Sequence, residues 1–137
     1  GKITMPLGGW YHATKYAVEA YSDALRLEVN RFGIKVILIE PGAIKTEWDT
    51  VAMANLAKYS GSGPYAALTD KLTNKFRSGY RKGAPGPEVV AKAILKALDS
   101  RWPAARYAVP FQARVVLFLK WLLPDRVLDA GMNFFLK

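Results

Sequence analysis

The chain has 137 residues, the length of one domain, and 51% of them are hydrophobic against 23% charged, a balance that excludes a disordered chain and lets roughly two-thirds of the unfolded surface be buried. No cysteine and a single histidine exclude a disulfide framework and a thiolate or multi-histidine metal centre, and fit a reducing, cytoplasmic compartment. The net charge of +9 arises wholly after residue 50: residues 1–50 hold six Lys/Arg and six Asp/Glu, residues 51–137 fourteen and five, so an anionic partner would meet the later part.

The chain opens Gly-Lys-Ile, without a charged n-region or an apolar h-region. We therefore expect no signal peptide, and a chain that is part of a longer protein. Residues 11–32 contain no proline or internal glycine. Ala17, Tyr21, Ala24, Leu25 and Glu28 recur at three and four spacing with Gly33 just beyond, which predicts a long helix with a glycine stop. "IKVILIE", residues 34–40, is a short β-branched run with little alternation, as in a parallel strand buried on both faces.

Pro41 and Gly42 end that strand, and residues 43–64, with "SGSGP" at 60–64, read as a long connection of the kind that serves as a functional loop. Residues 65–82 predict a helical fragment with Leu68, Leu72 and Phe76 on one side and Lys71, Lys75, Arg77, Arg81 and Lys82 around it. That basic cluster reads as a solvated face. "APGPEVVAKAILKALDS", residues 84–100, is a clear helix, with Pro87 at the first position, Glu88 favouring the dipole, and Val90, Ile94, Ala97 and Leu98 along one face. "RYAVP", residues 106–110, predicts a last short strand. "QARVVLFLKWLL", residues 112–123, is an apolar helix too short to span a bilayer and interrupted by Arg114 and Lys120; Pro124 restarts a brief element.

Two buried strands do not make a stable sheet alone, and parallel strands need helices on both faces. The chain therefore reads as α/β, the C-terminal part of a single doubly wound, Rossmann-type parallel sheet domain over residues 1–137, with the N-terminal strands absent.

In "GGWYHATKYAVEAYSDALRLEV", residues 8–29, Tyr11 and Lys15 stand one turn apart and face the same way. With seven tyrosines in the chain, a Tyr-x-x-x-Lys spacing arises by accident about 0.6 times, so the bare pattern is weak. Its chemistry is nevertheless apt: a phenol is a poor proton donor or acceptor at neutral pH, and a nearby ammonium favours the phenolate and makes the oxygen a usable general acid/base. Pro41 and Gly42, followed by Ile44 and Thr46, lie at the carboxyl end of the buried strand, where open α/β sheets bind ligands. His12, one residue from Tyr11, points about 100° away around the helix and reads as a surface histidine. Trp48, Tyr59 and Tyr65 are candidates to line a hydrophobic substrate pocket.

"YHATK" resembles the Tyr-x-[Ala/Gly]-[Ser/Thr]-Lys motif of the short-chain dehydrogenases/reductases. "IKVILIEPGAIKT" is similar to that family's strand and Pro-Gly-x-x-x-Thr loop, and "GPEVVAKAILKAL" to its following helix. The likeness runs from residue 1 to about residue 110, with three motifs in order. The resemblance implies a small-molecule alcohol or carbonyl substrate and NAD or NADP as cofactor. Tyr11, on a catalytic helix over residues 11–32, would exchange the proton with the substrate oxygen. Lys15 would bind the nicotinamide ribose and assist the tyrosine. Pro41, Gly42 and Ile44 would flank the nicotinamide through their backbones, and the Thr46 hydroxyl would bond its carboxamide or the pyrophosphate. Residues 43–82 would form the substrate lid and 111–137 a C-terminal extension. Homo-oligomers are implied too, because the family's tyrosine-bearing helix commonly packs against a second subunit.

The family's Gly-rich phosphate loop, Asn-Asn-Ala-Gly motif and catalytic asparagine all lie upstream of this stretch, and its carbonyl-polarising serine falls just before residue 1. The chain alone is therefore expected to be inactive. Two other classes compete with the oxidoreductase: a catalytically silent relative kept for binding or assembly, and a basic protein on a membrane surface. The helix with Phe118, Trp121, Arg114 and Lys120 suits packing on the core or a subunit better than a bilayer, and no nucleic-acid motif is present.

Overall fold

The computed structural model describes residues 1–77 and 83–136, so Arg81 and Lys82 of the basic cluster lie outside the described residues. The first helix, α1 (Gly9–Val29), closes through a 3₁₀ turn, Asn30–Phe32, onto Gly33. Gly33 has φ 74° and its N–H donates to the Asn30 carbonyl, the left-handed stop that a residue without Cβ adopts at no steric cost.

Strand β1 (Leu38–Pro41) pairs in parallel with β2 (Arg106–Val109), in register from Leu38 with Arg106 to Pro41 with Val109. The ladder is shorter than residues 34–40 suggest. Its first bond runs from Leu38 N–H to the Ala105 carbonyl at 2.9 Å, and Pro103 precedes the partner strand closely. Nor is β1 buried on both faces: Leu38, Ile39 and Glu40 are half-buried and Pro41 is exposed. One paired strand and its helices cover only part of it.

Residues 43–64 are not the plain connection that their sequence suggests, since they carry α2 (Trp48–Ser60). Ala52, Met53, Ala54, Leu56, Ala57 and Lys58 are strong helix formers, Asp49 sits in the first turn where the dipole favours a carboxylate, and Gly61 follows the last residue. The apolar residues lie all round the helix rather than in a stripe, which removes the periodic signal. Next, α3 (Ala66–Arg77) buries Leu72, with Leu68 and Phe76 half-buried on the expected side. The Thr69 hydroxyl donates to the Ser60 carbonyl at 2.8 Å and joins α3 to the end of α2.

Helix α4 (Glu88–Leu98) packs on both strands and buries Ala93 and Ala97. Ile94 and Leu98, expected on the covered face, are 42% and 72% exposed; the small alanines are what allow the helix to approach the sheet. After β2 come α5 (Phe111–Leu122) and α6 (Asp125–Phe135). The latter is a full helix rather than a brief element: Asp125 supplies its first-turn carboxylate and pairs with Lys120 at 2.9 Å. Two parallel strands joined through α2, α3 and α4 make this a partial doubly wound, Rossmann-type α/β arrangement. Among the described residues no helix is long and apolar enough to cross a membrane.

Two side-chain contacts fix where α1 and α5 sit. Arg106 of β2 donates from Nε to Glu19 at 3.1 Å and from Nη2 to Asp23 at 2.7 Å, both on α1, and its Nε lies 3.3 Å from Glu40 of β1. Lys2 adds a second cation 2.8 Å from Glu40. At the end of β1, Gly42 follows the strand with its N–H donating to the Val109 carbonyl at 2.7 Å. A Cβ on Gly42 would stand 2.9 Å from the Ala113 methyl, so α5 docks where only glycine leaves room.

The Arg106 hydrogen bond holds the Asp23 carboxyl below the usual aspartate value. A carboxyl depressed in the folded state contributes stability above its unfolded value, and that contribution is lost as pH falls through the folded one. Stability should therefore decline below about pH 4, and the decline should be shallower in Arg106→Met. At neutral pH, Arg106→Met should cost about 1 kcal/mol, with Lys2 left to offset Glu19 and Glu40; urea denaturation across pH measures both. Gly42→Ala should cost about 1–3 kcal/mol. Adding Ala113→Gly should recover that loss apart from the roughly 1 kcal/mol that glycine costs in a helix, as a double-mutant cycle would read.

Candidate functional site

Tyr11 lies in the first turn of α1, where residues 5–8 turn into the helix. His12 N–H donates to the Gly8 carbonyl at 2.9 Å and the Thr14 hydroxyl to the Tyr11 carbonyl at 2.7 Å. Leu7, just before, has φ 63°, a left-handed conformation that costs a side chain with Cβ some strain. Tyr11 is 43% exposed. It packs against Trp48 of α2, centroid to centroid 5.3 Å, and edge-on against His12 at 5.4 Å. The Lys15 ammonium reaches back over the ring to 5.4 Å from its centroid, as the i, i+4 spacing predicts.

Two clefts meet at this turn. The first, about 450 Å³, has walls from residues 5–8, α2 and α3, and Tyr11, Trp48, Leu56, Tyr59, Leu72 and Phe76 among its lining. Among the described residues no Asp, Glu, Lys or Arg lines it. The second, about 460 Å³, runs along β1 between α1 and α5 and brings together Lys15, Pro41 and Gly42. His12 lines both.

The sequence candidates thus divide. Tyr11 borders the apolar cleft, while Lys15, Pro41 and Gly42 border the polar one. Ile44 is buried and Thr46 is exposed, and neither is among the residues lining the two clefts. The Thr46 hydroxyl accepts a bond from Trp48 N–H at 3.4 Å. Trp48 and Tyr59 line the apolar cleft as expected of a substrate wall, whereas Tyr65 does not.

His12 is not the surface residue that its position around the helix suggests. It is half-buried, and its Nε2 accepts the Met5 N–H at 3.0 Å. Burial pushes its pKa below the ordinary histidine value. No local pattern announces this contact, because the turn that supplies Met5 folds back over the helix start. Arg106 and Ala113 also escape sequence reasoning, since each acts on a residue more than 70 positions away.

A family model described as short chain dehydrogenase matches residues 1–57. A probable short-chain type dehydrogenase/reductase, VdlC of Helicobacter pylori, is 35% identical over 131 residues, 95% of this chain and 47% of its own. The uncharacterized oxidoreductase YbbO of Escherichia coli is 39% identical over 129 residues, 94% of this chain and 43% of its own. An NADPH-dependent 3-dehydrocapnine reductase of Ornithobacterium rhinotracheale is 38% identical over 131 residues, 94% of this chain and 45% of its own. The chain spans a little under half the length of these curated relatives. With the Tyr11–Lys15 turn at the head of α1, Pro41 and Gly42 at the end of a parallel strand, and likeness along nearly its whole length, the chain belongs to the short-chain dehydrogenase/reductase family.

Proposed function

We propose that the protein of which these residues form part is an oxidoreductase that exchanges hydride between NAD or NADP and an uncharged, largely apolar alcohol or ketone. The observation that carries this reading is the setting of Tyr11: its phenol borders a cleft without charged lining, while the Lys15 ammonium lies over its ring from the adjoining cleft.

The second cleft suits the cofactor's nicotinamide half. It offers the Lys15 ammonium as a donor for ribose hydroxyls, beside the backbone of Pro41 and Gly42, the chemistry that a sugar and a flat amide ring require. When bound, the nicotinamide supplies or accepts the hydride. Tyr11 Oη moves the proton, giving it to the substrate oxygen in reduction and taking it back in oxidation. Lys15 stabilises the negative charge that develops on that oxygen, an effect strengthened once water is excluded. Thr46 and Ile44, on the loop that leaves β1, remain candidates for contacts at the rim. That a relative carries NADPH-dependent in its name supports the cofactor class.

The apolar cleft sets the substrate class. A pocket of several hundred Å³ accepts a small organic molecule and buries most of it. A carboxylate or phosphate entering this one would lose water without meeting an opposite charge. The basic surplus of the later part therefore lies elsewhere than the substrate.

In the full-length enzyme, Tyr11→Phe should lower kcat at least a hundredfold with little change in cofactor affinity, and Lys15→Ala should lower kcat and weaken cofactor binding together. Unchanged turnover in Tyr11→Phe would exclude the mechanism and leave a silent family member. Along a series of unbranched 2-alkanones, kcat/KM should rise up to about fourfold per methylene until the cleft is filled. A terminal carboxylate on the same chain should lower it at least tenfold; steady-state kinetics with both series reads the substrate class directly.

A further inference from the structure

We propose that His12 is a positioning residue whose neutral imidazole accepts the Met5 amide hydrogen, fixing the turn of residues 5–8 as a wall of the apolar cleft, so that productive substrate binding requires the uncharged ring. The proposal deepens the oxidoreductase reading and rests on that cleft being the substrate site.

The turn is held by little else. Met5, Pro6, Leu7 and Gly8 all line the apolar cleft. Among the described residues their backbone bonds are Gly8 N–H to the Met5 carbonyl, long at 3.3 Å, and the Gly8 carbonyl accepting from His12. Leu7 sits in the left-handed region at φ 63°, so the turn stores strain and relaxes when a restraint is removed. The imidazole supplies that restraint across seven residues, with Met5 N–H 3.0 Å from Nε2. It is also packed on the turn's backbone, since a Cβ on Gly8 would stand 2.8 Å from Nε2. On its other side the ring meets Tyr11 edge-on. One side chain therefore braces both the cleft wall and the phenol that borders it.

An imidazole nitrogen accepts a hydrogen bond only when it carries no proton. With Nε2 accepting, the ring proton is on Nδ1; a second proton would put two N–H groups face to face and end the contact. The ionisable groups around the ring are Tyr11 beside it and Tyr59 across the apolar cleft. Across the polar cleft are Lys2 and Lys15, with Glu19 and Glu40. The two carboxylates are already engaged by Lys2 and Arg106, and do not stabilise an imidazolium. Burial lowers the His12 pKa. A base depressed in the folded state is neutral above its folded value, and its contribution is lost as pH falls through that value. The brace therefore holds at neutral pH and releases in acid, below the ordinary histidine range.

The test compares wild type, His12→Leu and His12→Gln in the full-length protein. The glutamine carbonyl can accept the Met5 N–H but does not titrate. Protection of the Met5 amide from hydrogen exchange, corrected for intrinsic rates and followed by NMR, should fall at least tenfold in wild type as pH drops through the His12 titration. It should be lost at every pH in His12→Leu, and be restored and independent of pH in His12→Gln. The KM for an apolar ketone should follow: raised at least tenfold in His12→Leu, rising toward tenfold per pH unit in acid for wild type, and rescued without that acid rise in His12→Gln. Met5 protection in His12→Leu equal to wild type overturns the brace. A KM that ignores His12 while Met5 exchange follows it overturns the role in substrate binding. The exchange readout needs no turnover, so it stands even if Tyr11→Phe shows the oxidoreductase reading to be wrong.

Discussion

Arg106 holds the molecule in its working shape. From one strand it reaches two carboxylates on α1 and a third on the neighbouring strand, and α1 itself buries no residue. Its covered side is only half-buried, at Glu19, Ser22, Asp23, Arg26 and Val29, so the bonds that Glu19 and Asp23 accept from Arg106 help to set its rotation. Glu19 lies eight residues, about 12 Å along the axis, from Tyr11. Fixing the helix at that distance sets Tyr11 beside the apolar cleft and Lys15 beside the polar cleft that holds Pro41 and Gly42. Partly exposed ion pairs of this kind contribute modestly to stability; their value here is orientation.

That orientation places one helical turn between two unlike environments. On one side the lining is aromatic and aliphatic, with a few neutral polar groups; on the other two lysine ammoniums, two carboxylates and open strand backbone line the cleft. Tyr11 and Lys15 share a helix face, and yet the longer side chain ends in the polar cleft and the ring in the apolar one. Such a setting suits the proton transfer proposed for Tyr11, because the low-dielectric side strengthens whatever charge the other side supplies.

Much of this was legible in the chain. The long first helix with its glycine stop, the parallel strands, and the Tyr11–Lys15 juxtaposition all follow from spacing that local geometry fixes. What escaped was set by distance or by composition. Helix α2 escaped because apolar residues all round a helix leave no period to read. The ends of β1 depend on where β2 begins, 68 residues later by register. Which side of α4 is buried depends on how little sheet there is to cover it. His12 was misjudged because its angle on the helix is correct while the turn that covers it is invisible to periodicity. Gly42 looked like a ligand contact, and its nearest demand is the Ala113 methyl.

The parallel register carries a consequence for how such sequences can drift. Arg106 and Glu40 lie on one side of the sheet because each is an even number of positions from the paired Leu38, and side chains alternate strictly along a strand. Inserting or deleting one residue within either strand would turn Glu40 or Arg106 to the opposite side and separate the charges at a stroke. Descendants of this chain should therefore accept changes of length in the loops before α2 and before α3 while the two strands keep their spacing, however freely their apolar residues exchange.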